Sequence, residues 1–134
     1  VINMAGWDVS SWNLPFDYVN LSGVDISELN EVYNRCAAGL VISLTNMSLL
    51  PLELMAAGVT PVVNDAPNNR LVSDHPNICY AEPSPSALAD ALSREITRDD
   101  VETHIKVLAS ATKELTWERS GKQFVEALEK LSRD

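Results

Sequence analysis

Residues 49–65 read LLPLELMAAGVTPVVND, and the order of signals along them decides the fold. Pro51 suits a first helical position, where its missing N–H would have no partner anyway. Gly58 stops the helix, and TPVVN (60–64) follows at once as an apolar, β-branched strand. One carboxylate, Glu53, sits a turn inside this otherwise apolar run. As the third residue counted from Pro51, it complements the positive helix end and can reach back to free backbone N–H groups. The same geometry supports a second reading. Unpaired N–H groups near Leu49, Leu50 and Leu52 face whatever lies beyond the preceding strand, and helix starts of that kind hold phosphate. A carboxylate one turn in is then placed to accept hydrogen bonds from a ribose hydroxyl.

Outward from this stretch the chain alternates between two periods. VINMA (1–5) and YVNL (18–21) are short strand-like runs, separated by a loop carrying Trp7, Trp12 and Pro15. DISELNEVYNRC (25–36) places Leu29, Val32, Tyr33 and Cys36 on one helical face, with Asp25 and Glu28 as a capping box. GLVISL (39–44) lacks polar alternation, as a strand buried on both faces does. A short helix is expected over NNRLV (68–72) and a fifth strand over NICYA (77–81). Ser84 caps a helix begun by Pro85, with Leu88, Ala91 and Leu92 inward. Two helices close the chain. One shows Val101, Ile105, Leu108 and Ala109; the other shows Trp117, Gly121, Phe124, Val125, Leu128 and Leu131.

Strands alternating with helices imply right-handed crossovers and one mostly parallel sheet covered on both sides. The expected class is α/β, a Rossmann-like three-layer αβα sandwich. Ligands in such sheets sit beyond the carboxyl ends of the strands, here the loops after Ala5, Leu44 and Val63. Residues 1–116 form this domain, and 117–134 are expected as a C-terminal helix packed on it and crossing toward a preceding domain.

Composition narrows the function. With 134 residues, 46% hydrophobic and 22% charged, the chain suits one ordinary soluble core. A net charge of −9 argues against non-specific nucleic-acid binding, which rests on Lys and Arg neutralising phosphates. No apolar run approaches the roughly 20 residues of a membrane span. Val1 opens mid-strand, so the sequence reads as a piece of a longer chain. Cys36 and Cys79 form no close pair, and a reducing compartment fits them. His75 and His104 have no ligand-spaced neighbours, so no metal is expected.

The run Pro51-Leu-Glu-Leu-Met-Ala-Ala-Gly-Val-Thr-Pro-Val-Val resembles the signature "lEAMAxGxPVV" of the carboxyl-terminal half of retaining GT-B glycosyltransferases. NLSGVDISELNEVYNRC, SPSALADAL and TWERSGKQF resemble further segments of that family, in family order. GLVISLTNMSLLPLELMAAG is most similar to a rhamnan-synthesis branch, whose members use dTDP-L-rhamnose. The resemblance implies a nucleoside-diphosphate-sugar donor and a glycan acceptor bound through an absent amino-terminal domain. It also implies a cytoplasmic location, peripheral to the inner face of the membrane, and no cofactor. Glu53 matches the carboxylate that contacts the nucleotide's ribose. The backbone from Ser48 through Leu49 to Leu50 matches the diphosphate-binding turn, and Gly23 with Val24 matches the segment against the base. The family's other carboxylate, which contacts the donor sugar, falls at Thr45, beside Asn46. That is a departure, since a hydroxyl binds hydroxyl donors less strongly than a carboxylate does.

Asn64 and Asp65 end a strand and border the expected crevice, although both residue types are also common turn formers. Arg70 is placed either to pair with phosphate oxygens or simply to be solvated. Trp7 and Trp12 read as core or interdomain aromatics ahead of base-stacking ones, and Trp117 as packing for a crossover helix. The rival class is a non-catalytic domain that keeps the scaffold without transferase chemistry. A flavodoxin-like signalling domain is disfavoured, because no cluster of acids ends the first strand.

Overall fold

A computed structural model describes residues 1–132 of the protein. Its elements run β1 (Ile2–Ala5), β2 (Tyr18–Ser22), α1 (Ile26–Tyr33), β3 (Ala38–Val41), α2 (Leu50–Ala56), β4 (Thr60–Asn64) and α3 (Pro67–Val72). After these come β5 (Cys79–Ala81), α4 (Pro85–Ile96), α5 (Val101–Thr112) and α6 (Trp117–Leu131). All strand pairings are parallel, and helices flank the strands, so the class is α/β and Rossmann-like.

The strands form two sheets rather than one. β3, β4 and β5 pair in that order, while β1 and β2 form a separate two-stranded ribbon. The crossover between β1 and β2, residues 6–17, carries no helix. A parallel pair needs a connection of about a dozen residues, which this loop supplies, but nothing in it covers a sheet face. Trp7 and Trp12 on the loop are exposed rather than packed into a core.

The three-stranded sheet is the rigid centre. Every residue of β4 is buried, because Val63 faces one layer and Val62 the other. On the first side Val41, Val63 and Ile78 pack with Met47, Leu54, Met55, Val59 and Leu108, drawing in Tyr33 and Cys36. On the second side Val62 meets Leu88 and Ala91 of α4. Both cysteines are free and half-buried.

Two glycines set how closely these layers approach. At Gly39 an added Cβ would lie 2.6 Å from Leu54 Cδ1, so β3 and α2 pack tighter than alanine allows. Gly58 closes α2 in a left-handed conformation, φ +76°, where its N–H donates to Met55 O and that of Val59 to Leu54 O. This is the paired-bond helix ending that favours glycine. It turns the chain straight into β4.

The capping signals are realised: Asp25 and Glu28 form a capping box on α1, and the Ser84 hydroxyl accepts from Ala87 N–H on α4. Thr116 caps α6 by accepting from Arg119 N–H. α6 itself buries none of its residues. Trp117, expected as packing, is 85% exposed, and Phe124, Val125, Leu128 and Leu131 also face solvent. Residues 133–134, the end of the segment expected to cross toward a preceding domain, lie outside the described residues. Among the described residues no helix is long and apolar enough to cross a membrane.

Candidate functional site

The site begins with a clamp at the ends of two strands. Asn64, the last residue of β4, is buried, and its side chain spans to the chain just past β3. Asn64 Oδ1 accepts from Ser43 N–H at 2.8 Å, and Asn64 Nδ2 donates to Ser43 O at 2.9 Å. Asn69 Nδ2 donates to Asn64 O and to Ser43 O, and Asn68 Nδ2 donates to Thr45 O. The loop from Ser43 to Leu49 is therefore hung from β4 and α3 by side-chain amides. Asn64 is a structural bracket rather than a free ligand group. Replacing it with alanine leaves the buried Ser43 N–H unpaired and the Ser43 carbonyl held only by Asn69 at 3.3 Å, a loss of about 1–3 kcal/mol. A lower urea midpoint for Asn64→Ala, with faster amide exchange at Ser43, is the expected result.

The loop then turns sharply. Asn46 Oδ1 accepts from Ser48 N–H at 2.8 Å, which holds Ser48 in a left-handed conformation at φ 55°. Leu50 N–H reaches Ser48 Oγ at 3.5 Å, and Leu52 N–H donates to Leu49 O at 2.9 Å. Of the amides expected to be free, only that of Leu49 has no partner among the described residues, since Leu52 is spent on the first turn of α2. Non-glycine residues held at positive φ tend to mark functional turns, because the strain must be offset by the surroundings. Here Asn46 supplies the restraint.

Glu53 does not cap its own helix. The N-cap residue of α2, Leu49, supplies no side-chain cap, and the one side chain that reaches a first-turn amide is Ser48, at Leu50 N–H. Glu53 is exposed, and its Oε2 instead accepts from the hydroxyl of Tyr33, 3.3 Å away on α1. Next to it lies a groove of about 380 Å³, open to solvent and walled by α2 and the α5–α6 connection. Leu49, Leu52 and Glu53 form one wall; Thr112, Leu115 and Trp117 form the other. The carboxylate thus borders a mainly apolar cleft with one oxygen uncommitted.

Other candidates are drawn elsewhere. Arg70 makes a two-point pair with Asp65, 2.6 and 2.9 Å, bonds Asp74 at 2.6 Å, and lies 4.4 Å over the Tyr80 ring. Its guanidinium bonds two carboxylates and remains partly exposed, so Arg70 and Asp65 form a local brace. The Arg70 hydrogen bond holds the Asp65 carboxyl below the ordinary aspartate value of 3.8. A depressed folded-state value means that the pair contributes stability above pH 3.8 and loses it as pH falls further. Asp65→Asn is expected to flatten that part of an acid-unfolding curve, followed by circular dichroism between pH 2 and 5.

Gly23 and Val24 lie just past β2, in the ribbon rather than in the central sheet; Gly23 is exposed with open space around it. Thr45 is exposed, with its carbonyl tied to Asn68. The sites that the sequence brings together are Ser48, Leu49, Leu50 and Glu53. His104 bonds Thr60 Oγ1 at 2.9 Å. Among the described residues no group of three His, Cys, Asp or Glu side chains could hold a metal ion.

Sequence reasoning missed Tyr33 as a partner of Glu53. The signal was present: a tyrosine on an inward helical stripe needs a partner for its hydroxyl, and Glu53 is the lone acid on the helix that follows. It also missed Trp117 and the α5–α6 connection as the far wall, because long-range placement of a terminal helix leaves no local pattern.

Parallel strands with α2 and α4 on opposite faces, and a strained turn feeding an exposed carboxylate, define a Rossmann-like αβα domain with its open edge at the carboxyl ends of β3 and β4. The chain belongs to the family described as "WsaF, C-terminal domain", which matches residues 2–93. It is also 36% identical over 120 residues to the O-antigen biosynthesis protein RfbC of Myxococcus xanthus. That match covers 85% of this chain and 9% of the relative, so the chain spans under a tenth of that protein's length. Both matches support the carboxyl-terminal glycosyltransferase domain that the motifs resemble. No solved structure matches the chain.

Proposed function

We propose that this domain binds the nucleoside-diphosphate-sugar donor of a glycosyltransferase, as one half of a GT-B fold, with a hexosyl group such as rhamnosyl as cargo. The observation that carries the reading is Glu53: exposed, not used as a cap, and bordering a groove beside the Ser48–Leu50 turn. Ribose hydroxyls donate to the carboxylate, and the diphosphate lies against the turn, where the Leu49 amide is free to donate. A charged acceptor of this kind contributes about 1.5–3 kcal/mol per hydrogen bond.

In transfer, charge builds on the departing diphosphate, and preorganised donors stabilise it best when they need no rearrangement. The amide brackets of Asn46 and Asn64 hold the turn in place for that purpose. Arg70 is committed to Asp65 and Asp74, so cationic help comes from another basic group, and the acceptor hydroxyl enters through a further domain. The relative's name, an O-antigen biosynthesis protein, supports a glycan acceptor in polysaccharide assembly. A second reading, binding without transfer, is favoured by one residue: Thr45 supplies a hydroxyl where the resembled motif has the sugar-contacting carboxylate.

Amide NMR of the chain with a panel of nucleoside diphosphates tests the binding step. Shifts centred on residues 48–53 support it; an unmoved spectrum at millimolar ligand refutes it.

A further inference from the structure

Glu53 is an exposed side chain on a short helix, and such a glutamate samples many rotamers. Ordering it on binding costs free energy that a ligand contact must first offset. In this protein the ordering is done in advance from another element. Tyr33 ends α1, and its ring packs against the core cluster formed by Val41, Leu54, Met55 and Val63. Its hydroxyl therefore projects from a fixed base and donates to Glu53 Oε2. Among the described residues no other hydrogen bond to the Glu53 carboxylate is present, which leaves Oε1 without a protein partner on a residue that lines the groove. Burial, reinforced by the Glu53 charge, pushes the Tyr33 hydroxyl above the ordinary tyrosine value, so it stays a proton donor at neutral pH.

We propose that Tyr33 is a positioning residue, which orients the Glu53 carboxylate toward a nucleoside's ribose without touching the ligand itself. This rests on the donor-binding reading above. The arrangement joins two segments that are 20 residues apart in sequence and that belong to successive helices, α1 and α2. It makes the ribose contact depend on how Tyr33 seats against the core and not on α2 alone.

Calorimetric titration of the chain with uridine diphosphate, thymidine diphosphate and inorganic pyrophosphate tests this across wild type, Tyr33→Phe, Glu53→Ala and the double variant. Tyr33→Phe is expected to weaken whichever nucleoside diphosphate binds by about 3–10-fold, the size of one modest hydrogen bond. In the Glu53→Ala background the same change should have no further effect, and pyrophosphate affinity should not respond to either variant. An ultraviolet titration provides a ligand-free readout: Glu53→Ala should move Tyr33 back toward the ordinary tyrosine range. Equal affinity of wild type and Tyr33→Phe, or an equal loss in both backgrounds, overturns the positioning role while donor binding stands. A wild-type chain that binds neither nucleotide overturns the donor-binding reading and this inference with it. A Tyr33 titration unmoved by Glu53→Ala shows that the pair does not form in solution and overturns the inference alone.

Discussion

Replacing Glu53 with alanine is expected to reduce nucleoside-diphosphate affinity by about 10–100-fold while leaving the fold intact. The size follows from losing a charged acceptor, about 1.5–3 kcal/mol, with each 1.4 kcal/mol worth a factor of ten. The selectivity follows from exposure. Glu53 caps nothing, and among the described residues its carboxylate has one hydrogen bond, a long one from Tyr33. Substitutions at exposed positions without such duties usually change stability by about 0.5 kcal/mol or less. Were Glu53 instead a helix-start residue and nothing more, the pattern would reverse. Stability would fall by several tenths of a kcal/mol through the lost interaction with the helix end, and affinity would not move. Calorimetric titration with nucleoside diphosphate, set beside urea denaturation of the same variant, separates the two.

Gly58→Ala should be the most damaging small substitution. It combines two costs at one position. The left-handed backbone disfavours any Cβ by about 1–2 kcal/mol. The new methyl would also lie 2.7 Å from Ile105 Cγ2 on α5, an overpacking that costs about 1–3 kcal/mol. Total stabilities of about 5–15 kcal/mol make a combined loss of about 2–5 kcal/mol a large share. The urea midpoint should drop with little change in slope, since the surface exposed on unfolding is the same. The defect would spread further than one residue. Gly58 sets the angle between α2 and β4, so it also fixes where Glu53 stands relative to the Asn64 clamp.

The stretch from Leu49 to Asp65 was legible because its signals are local and agree with one another. Pro51 lies in the first turn of a helix that opens one residue earlier, at Leu50, Gly58 ends it through backbone chemistry only glycine accepts without strain, and a β-branched strand follows. Capping at Asp25, Ser84 and Pro85 was legible for the same reason. The division into two sheets was not. Whether β1 pairs beside β3 depends on contacts between distant segments, and VINMA is equally good strand in either arrangement. The fates of Asn64, Asp65 and Arg70 were hidden differently. A strand-end Asn and Asp near an Arg read alike whether they face ligand or each other. Only coordinates show that Asn64 closes on Ser43 and that Asp65 and Asp74 take both sides of Arg70. The apolar face of α6 was visible as a pattern, yet its exposure was not, because periodicity reports a stripe and not its partner.

The most direct test is a crystal structure of the chain grown with a nucleoside diphosphate. The account predicts the ribose hydroxyls within hydrogen-bond distance of the Glu53 carboxylate, the diphosphate against the turn from Ser48 to Leu50, and Tyr33 still bonded to Glu53. A nucleotide seated elsewhere on the domain, with Glu53 facing bulk solvent and the turn vacant, would contradict it.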